Sequence, residues 1–467
     1  MASSDTNNIR QHSAELRKEL TLRDLVLAQI LYVVGSGWVG TGARLGESHV
    51  VFWTAAIVFF YLPQAAVVIY LNREMPLEGG LYQWAKLGFN ERVGFLVGWN
   101  LWLYVILFIS SIGLVLATNL SYALGPRFMW IGSYKWSIAA VSTVLSIGLA
   151  VVSILGLRVG KWFQNTGGLL QILTFAALIL IPFAGKIRDY HPLKIAVPTI
   201  SLLTLNIFGK ISFGAFSGFE YIAILAGECR SPGRNIGRSV WIASPVIAMM
   251  FVLGTSSVLA YVSPDQVDLV GPVPQTLSIG LSRFGIGGLA ATIVILMLFG
   301  RQIGAAIMAV AGCTRLPMVA GWDRLLPAWF SKLHPKYRTP VNSILFVNAI
   351  ILVMALLAIV GVGHQEAYQV LENASNGFYS ITYLVMFAIP IWSRRSRAPW
   401  WLRAAALSGF AVTLLSCVLG IFPIVAVQSW LSYGLKVGGV MAAANLVGFY
   451  IYRREKRIVR ADYFVAQ

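Results

Sequence analysis

The sequence predicts an all-α integral membrane protein with twelve transmembrane helices, and three observations lead to that class. The chain of 467 residues is 57% hydrophobic and only 12% charged, which is about half the charge of an ordinary soluble domain. It contains twelve apolar runs of roughly the 20 residues that a helix needs to cross a bilayer. Its Lys and Arg residues are concentrated in alternate loops.

The apolar runs set the order of the predicted helices. Backbone groups inside a bilayer must be hydrogen-bonded within their own segment or a closed barrel, so runs of this length indicate helices. The predicted spans are 24–45, 50–71, 93–120, 136–157, 160–185, 202–228, 239–262, 277–313, 341–363, 367–392, 404–427 and 430–452.

The distribution of positive charge predicts the orientation. With the N-terminus inside, the inner segments hold 26 of the 36 Lys and Arg residues, and the outer segments hold eight. This excess indicates cytoplasmic N- and C-termini. The loss of one helix would reverse every later loop, so the bias also supports the helix count. The formal charge of +18 is therefore mainly a signal of topology, and we expect no nucleic-acid partner.

Several function classes are disfavoured by what the sequence contains. The three cysteines (Cys229, Cys313 and Cys417) lie in or beside apolar runs and do not form a disulfide framework. The five histidines are scattered over the tail and loops without metal-ligand spacing. No phosphate-binding loop occurs, which argues against an ATP-driven pump. We expect no metal, no cofactor and no enzymatic activity.

Two of the spans carry glycines near their middle. The first contains Gly35-Ser36-Gly37, and the sixth contains Gly214, Gly218 and an adjacent Glu220. Glycine in a helix interior costs about 1 kcal/mol relative to alanine. Such glycines either allow close helix packing or mark a helix that is broken at mid-membrane, with free N–H groups and a positive end facing an anion.

The two interruptions are five helices apart, which predicts an internal repeat. Spans 1–5 (24–185) and spans 6–10 (202–392) are similar in length. Because five is odd, the second repeat enters the membrane from the opposite side, and the repeat is inverted. Two further helices (404–452) and two cytoplasmic tails (1–23 and 453–467) complete the predicted organisation. Interruptions at corresponding positions of two halves point to a transporter's binding site.

Four groups of motifs resemble the amino acid–polyamine–organocation (APC) superfamily of secondary transporters, which have the LeuT-like fold. They span residues 22 to 340 in the expected order. They are Leu22-Arg23-Asp24 with the Gly35 run; Pro76-Leu77-Glu78-Gly79-Gly80 through Trp84, with Gly94-Phe95 and Gly98-Trp99; Phe216 to Glu220 with Ala226-Gly227-Glu228 and Ser231-Pro232; and Thr314-Arg315-Leu316 with Gly321-Trp322-Asp323, Leu326-Pro327 and Thr339-Pro340.

This resemblance implies that spans 1 and 6 are unwound at mid-membrane and that both contact the substrate. It implies that backbone N–H groups of the first break hold an amino acid's carboxylate, while carbonyl groups of both breaks hold its ammonium group. Beside the resemblance, the run Phe213, Phe216 and Phe219, together with Trp38, suggests a substrate with an apolar or aromatic side chain. The predicted substrate-binding residues are Val33, Gly35, Ser36, Gly37, Phe213, Gly214, Ala215, Phe216, Ser217 and Phe219.

The chain also differs at three places from the family that it resembles. Many relatives carry an aromatic gate where this chain has Gly214, flanked here by Phe213 and Phe216. Some sodium-independent relatives carry a lysine in span 5, where this chain has Gln171. Sodium-dependent members use hydroxyls of span 8, where this chain has Arg301 and no Ser or Thr between Ile293 and Gly312.

Arg301, Gln171 and Glu220 are therefore the candidates for coupling. A fixed positive charge at Arg301 could replace sodium; the alternative is an arginine that snorkels or pairs with Glu220 or Glu228. Glu220 is a structural partner, a proton carrier or a contact for a basic substrate. Lys210 is expected to snorkel near the outer end of span 6.

The predicted function is a secondary active transporter that moves amino acids across the plasma membrane by alternating access. It is expected to be sodium-independent and to work by proton symport or by exchange. Its partners would be the amino acid, the lipid bilayer, and a proton or counter-substrate, and a bacterial inner membrane is the expected location. The alternatives are a polyamine or organocation transporter of the same superfamily, an ion channel, and a receptor that does not transport.

Overall fold

The computed structural model describes residues 18–183, 196–282, 287–322, 326–358, 364–393, 396–424 and 429–465. Helices make up nearly all of these ranges, and strand pairing within them is limited to one isolated bridge between Leu20 and Cys229. The predicted all-α class is therefore confirmed. Residues 1–17 of the predicted N-terminal tail, the motif residue Asp323 and the end of the C-terminal tail lie outside the described residues.

The helices run through the described chain with short connections. Two π-helices, Ile57–Tyr61 and Lys210–Ala215, and the ten-residue 3-10 helix Phe219–Glu228 lie within the spans. Short 3-10 helices are also found at Gly46–Ser48, Pro126–Phe128, Ile181–Phe183, Pro264–Gln266 and Ala328–Ser331. The α-helices are α1 (Leu22–Val33), α2 (Ser36–Ala43), α3 (His49–Ala56), α4 (Leu62–Glu74), α5 (Leu81–Gly88), α6 (Glu91–Leu124), α7 (Trp130–Ser133), α8 (Lys135–Leu155), α9 (Leu157–Leu180), α10 (Leu202–Gly209), α11 (Pro232–Leu259), α12 (Pro272–Ser282), α13 (Gly287–Trp322), α14 (Val341–Ala358), α15 (His364–Trp392), α16 (Trp400–Leu419) and α17 (Trp430–Val465).

The described residues contain ten helices that are long and apolar enough to cross a membrane. The pair α1 and α2, bent by 43°, raises the number to eleven if it is one span. A further apolar helix, Val341–Leu357, is shorter than a full span. About the expected number of spans is present, while the exact count of twelve and the boundaries of the inverted repeats stay predictions.

The long helix α6 lies at the centre of the bundle. It packs against α13, α15, α14 and α8, while α9 packs along both α13 and α1. This arrangement brings the break between α1 and α2 next to α9 and α13. Residues of α1, α2, α9 and α13 therefore lie close together around this break.

Large apolar side chains are exposed on the outer faces of the bundle. Val144 of α8, Trp241 of α11 and Leu446 of α17 are each about 70% exposed, whereas Trp53 and Trp84 are fully buried inside. Apolar surface of this extent is found where a protein contacts lipid or a partner. The outer surface is thus suited to a bilayer.

Candidate functional site

The first span is interrupted at Val34 and Gly35. Helix α1 ends at Val33, Val34 is extended with φ −79° and ψ 90°, and α2 begins at Ser36. The first N–H groups of a helix have no partner within it, and no backbone acceptor is found for those of Ser36 and Gly37 in the described chain. The break predicted at Gly35 is present, and it leaves two donors at the positive end of α2.

The carbonyl oxygen of Val34 is held by two side chains from other helices. Nε2 of Gln171 donates to it at 3.0 Å, and Nη1 of Arg301 donates to it at 2.9 Å. Nη2 of Arg301 also lies 3.4 Å from Oγ of Ser36. The two predicted coupling residues of spans 5 and 8 therefore meet at the break in span 1.

The alternative roles considered for Arg301 are wrong in this structure. Its side chain is 3% exposed, so it does not snorkel. Glu228 is paired with Arg315 instead, and Glu220 is hydrogen-bonded to tyrosines. The hydrogen bond from Arg301 to Val34 therefore connects α13 to the break in the first span.

The sixth span is interrupted between two irregular helices. The π-helix ends at Ala215, and the 3-10 helix begins at Phe219. Gly218 adopts φ +128°, which a residue with a Cβ rarely adopts, and its N–H donates to the Tyr383 hydroxyl at 2.8 Å. Ser217 folds back, its hydroxyl donating to the Phe213 carbonyl at 2.5 Å. The second predicted break is therefore also present.

Both breaks face one cavity. Of the predicted substrate-binding residues, Val33, Gly35, Ser36, Gly37, Gly214 and Ser217 line it, together with the coupling candidate Arg301. The other lining residues include Tyr32, Trp38, Tyr104, Phe108, Ser111, Val115, Val270, Gln302, Tyr368, Glu372, Ser375 and Asn376.

The three predicted aromatic contacts of span 6 lie elsewhere. Phe213, Phe216 and Phe219 are fully buried and are not among the lining residues, and Ala215 is likewise buried behind the cavity. The Phe216 ring packs against the Tyr61 ring at a centroid distance of 4.3 Å. These rings form the apolar support behind the second break, and their predicted contact with substrate stays a prediction.

The aromatic side chain at the second break comes from span 1. A Cβ added at Gly214 would lie 2.2 Å from Cη2 of Trp38, and one added at Gly35 would lie 2.7 Å from Cδ1 of the same ring. Trp38 therefore fits between the glycines of the two breaks. Sequence order could not reveal this contact, because the two positions are joined only by the fold.

Glu220 lies behind the cavity. It is fully buried, and the hydroxyls of Tyr379 and Tyr383 both donate to its carboxyl group. Tyr379 is stacked on Tyr104 with ring centroids 3.7 Å apart, and Tyr104 lines the cavity. Glu220 is thus separated from the cavity by two aromatic rings, and a direct contact with substrate finds no support in this geometry.

The sequence-based prediction was wrong about the position of one polar residue, Lys210, and did not include a second, Glu372. Lys210 is wrongly predicted to snorkel, since it is buried and its Nζ donates to Oδ1 of Asn373 at 2.6 Å. Glu372 lines the cavity and was not predicted. The signal for it was present, because an ionisable residue within a predicted span (367–392) suggests function.

A second polar cluster lies at the end of the bundle predicted to be cytoplasmic. Glu228 is paired with Arg315, and the carboxyl group of Glu78 accepts from the Gly227 N–H. Burial, reinforced by the negative charge of Glu228, raises the pKa of Glu78 to about 8. The cluster joins the connection between α4 and α5 to the end of the sixth span and to α13.

A comparison with known families now defines the class of protein. The model of the amino acid permease family matches residues 20–449, and the chain belongs to this family of the APC superfamily. The chain is thus a multi-pass membrane transporter, and the resemblance noted in its motifs is confirmed.

The individual relatives have low sequence identity to this chain, and their names describe different substrates or none. The chain is 25% identical to an uncharacterised transporter of Legionella pneumophila over 82% of each chain. It is 28% identical to a low-affinity putrescine importer of Escherichia coli over 74% of this chain and 75% of the relative. It is 23% identical to a serine/threonine exchanger of Bacillus subtilis over 73% and 77%, respectively.

Proposed function

We propose that this transporter moves amino acids across the plasma membrane by alternating access and without sodium. A zwitterion matches the polarity of the cavity. Its carboxylate would bind the free N–H groups of Ser36 and Gly37 at the positive end of α2. Its ammonium group would bind carbonyl groups at the second break, near Gly214 and Ser217, where the regular helical hydrogen bonding stops.

The observation that supports an amino acid most strongly is Arg301 in the cavity wall. The guanidinium group lies beside Val34 and Ser36, next to the free N–H groups. A carboxylate entering here would be attracted by both. A polyamine has no anionic group, and one of its ammonium groups at this end would be repelled by the guanidinium.

A polyamine remains the second candidate because Glu372 lines the same cavity. The name of the Escherichia coli relative adds support, since it describes a putrescine importer. An acidic group is what such a substrate would require. An ion channel is disfavoured because paired breaks around a shared cavity are typical of carriers, and a receptor that binds without transport is the remaining alternative.

We further propose that Arg301 replaces a coupling cation and that Glu220 binds the proton if transport is symport. The guanidinium bridges α13 and the first break, as an ion would have to do to hold these elements together. Exchange of internal for external substrate is the alternative mode. The charge distribution of the loops supports cytoplasmic termini, and the short loops and tails support a bacterial inner membrane.

The experiment is uptake of labelled amino acids into proteoliposomes in sodium-free buffer. Accumulation driven by a proton gradient alone indicates symport, while uptake only into vesicles preloaded with the same amino acid indicates exchange. Putrescine is included in the panel. Saturable uptake of putrescine without uptake of any amino acid would overturn the proposal in favour of the second candidate, and binding without flux would indicate a receptor.

A further inference from the structure

The cavity contains an acidic group that the amino acid backbone does not require. Glu372 of α15 lines the cavity beside Tyr368, which lies one turn earlier. Four residues separate Tyr368 from Glu372 on α15, so both side chains lie on one face of the helix, and both line the cavity. A carboxylate has about four acceptor positions, so that of Glu372 can accept hydrogen bonds from a ligand in the cavity.

The charge of Glu372 is not neutralised by a direct ion pair within the described part of the chain. The neighbouring Lys210 instead donates to the amide of Asn373 at 2.6 Å. The other buried acids are satisfied differently: Glu228 is paired with Arg315, and Glu220 accepts from two tyrosines. A partly buried carboxylate of this kind favours a cationic partner.

The rest of the cavity wall suits the chain that would carry such a cation. Tyr104 and Phe108 line the cavity, with ring centroids 6.1 Å apart. Trp38 lines it as well. Aromatic faces pack against methylene groups and attract ammonium or guanidinium groups. The positive charge of Arg301 and the negative charge of Glu372 therefore stand in one cavity that has both apolar and aromatic surface.

We propose that Glu372 and Tyr368 form a subsite for the positively charged side chain of the substrate. The transporter then prefers amino acids with basic side chains over neutral amino acids of the same length. The inference rests on the proposed function, since it assigns the α-carboxylate to the first break and the side-chain cation to Glu372. It assigns to α15 a role in specificity.

Competition binding to the purified protein, with pairs of ligands that differ in one charge, tests this subsite. Lysine is compared with norleucine and arginine with citrulline. The wild type is expected to bind the charged member more tightly. Glu372→Gln is expected to weaken lysine binding roughly 10- to 100-fold, the usual effect of losing a hydrogen bond to a charged group, and to change norleucine binding by less than about threefold.

Two further variants keep the test decisive. Glu372→Asp retains the charge and is expected to retain part of the preference, and Tyr368→Phe is expected to reduce it if Glu372→Gln does not fold. Glu74→Gln is the matched control, because it removes the same charge at an exposed position outside the cavity and should leave the ratio of lysine to norleucine affinity unchanged.

The outcomes separate this inference from the proposed function. Equal binding of lysine and norleucine by the wild type, or an equal loss of both in Glu372→Gln, would overturn the subsite and leave an amino acid carrier standing. No binding of any amino acid would overturn the proposed function and the subsite with it. A loss confined to the charged ligands, partly restored by aspartate, supports the subsite.

Discussion

Gln171 and Arg301, on two different helices, donate to the same carbonyl oxygen, that of Val34. This oxygen lies at the break of the first span, where regular helical bonding ends. A buried carbonyl without a donor would cost about 1–3 kcal/mol. The two side chains therefore stabilise the broken form of the span and join α9 and α13 to it.

Replacing Arg301 tests its role as the fixed positive charge. Arg301→Ala is expected to lower sodium-free uptake about tenfold or more, because a buried hydrogen bond from a charged group contributes about 1.5–3 kcal/mol. Arg301→Lys should retain part of the activity. The measurement is initial uptake in proteoliposomes, and Arg403→Ala, which changes an exposed arginine of α16, should leave uptake unchanged. Full sodium-free activity of Arg301→Ala would show that the charge is not needed.

The contact between Trp38 and Gly214 predicts a strong effect of a single methyl group. Gly214→Ala would place a Cβ 2.2 Å from the indole ring, and overpacking of this kind costs about 1–3 kcal/mol. We expect uptake to fall about tenfold, and Trp38→Leu in the same chain to restore part of it. Gly148→Ala on α8, which has nothing within 4 Å of an added Cβ, is the control. Independent effects of the two changes in a double-mutant cycle would contradict the contact.

Glu220 is the group expected to bind the proton if transport is symport. Uptake by the wild type should then depend on pH, and a single titrating group changes uptake by at most about tenfold per pH unit. Glu220→Gln cannot titrate, and its uptake should be nearly independent of pH. Uptake measured across a series of external pH values provides the test. An unchanged pH profile in Glu220→Gln would remove Glu220 from the coupling mechanism.

The buried carboxyl group of Glu78 predicts how stability depends on pH. Its pKa is raised to about 8 in the folded protein, so the folded state binds a proton more strongly than the unfolded chain. Stability from this group is complete below the ordinary carboxyl pKa and is lost as the pH rises through about 8. Thermal unfolding in detergent should show the melting temperature falling over this interval.

Glu78→Gln should remove that part of the pH dependence. Glutamine keeps the size of the side chain but cannot ionise. The melting temperature of the variant should therefore fall less than that of the wild type between about pH 5 and about pH 8. Glu74→Gln, at an exposed position at the end of α4, should retain the wild-type dependence. A parallel fall in wild type and Glu78→Gln would assign the effect to other groups.

Local sequence predicted the features that depend on backbone preference. The glycines at Gly35 and Gly218 marked both breaks, because their positions cannot be regular helix at low cost. The lack of hydroxyls around Arg301 marked this residue as unusual, and the structure brings it to the first break. The class of protein and the two breaks could thus be predicted from the sequence.

Features that depend on contacts between helices could not be predicted in this way. Trp38 lies over Gly214 although 176 residues separate them in sequence, and no local pattern encodes that distance. Phe216 and Phe219 look like pocket residues in sequence, yet both are fully buried in the structure and neither lines the cavity. Glu372 was missed for a different reason, since its position near the start of a predicted span is typical of an interfacial charge.

The guanidinium at the first break has a consequence for the energetics of transport. A dissociable cation fills its site in proportion to its concentration, and its movement down a gradient performs work on the substrate. The charge of Arg301 is covalently attached, so it is present once per molecule in every medium and never leaves with the cargo. The positive charge beside the Val34 carbonyl is therefore present whatever the ionic composition on either side of the membrane. The membrane potential can then act only on charges that move with the protein or with its cargo.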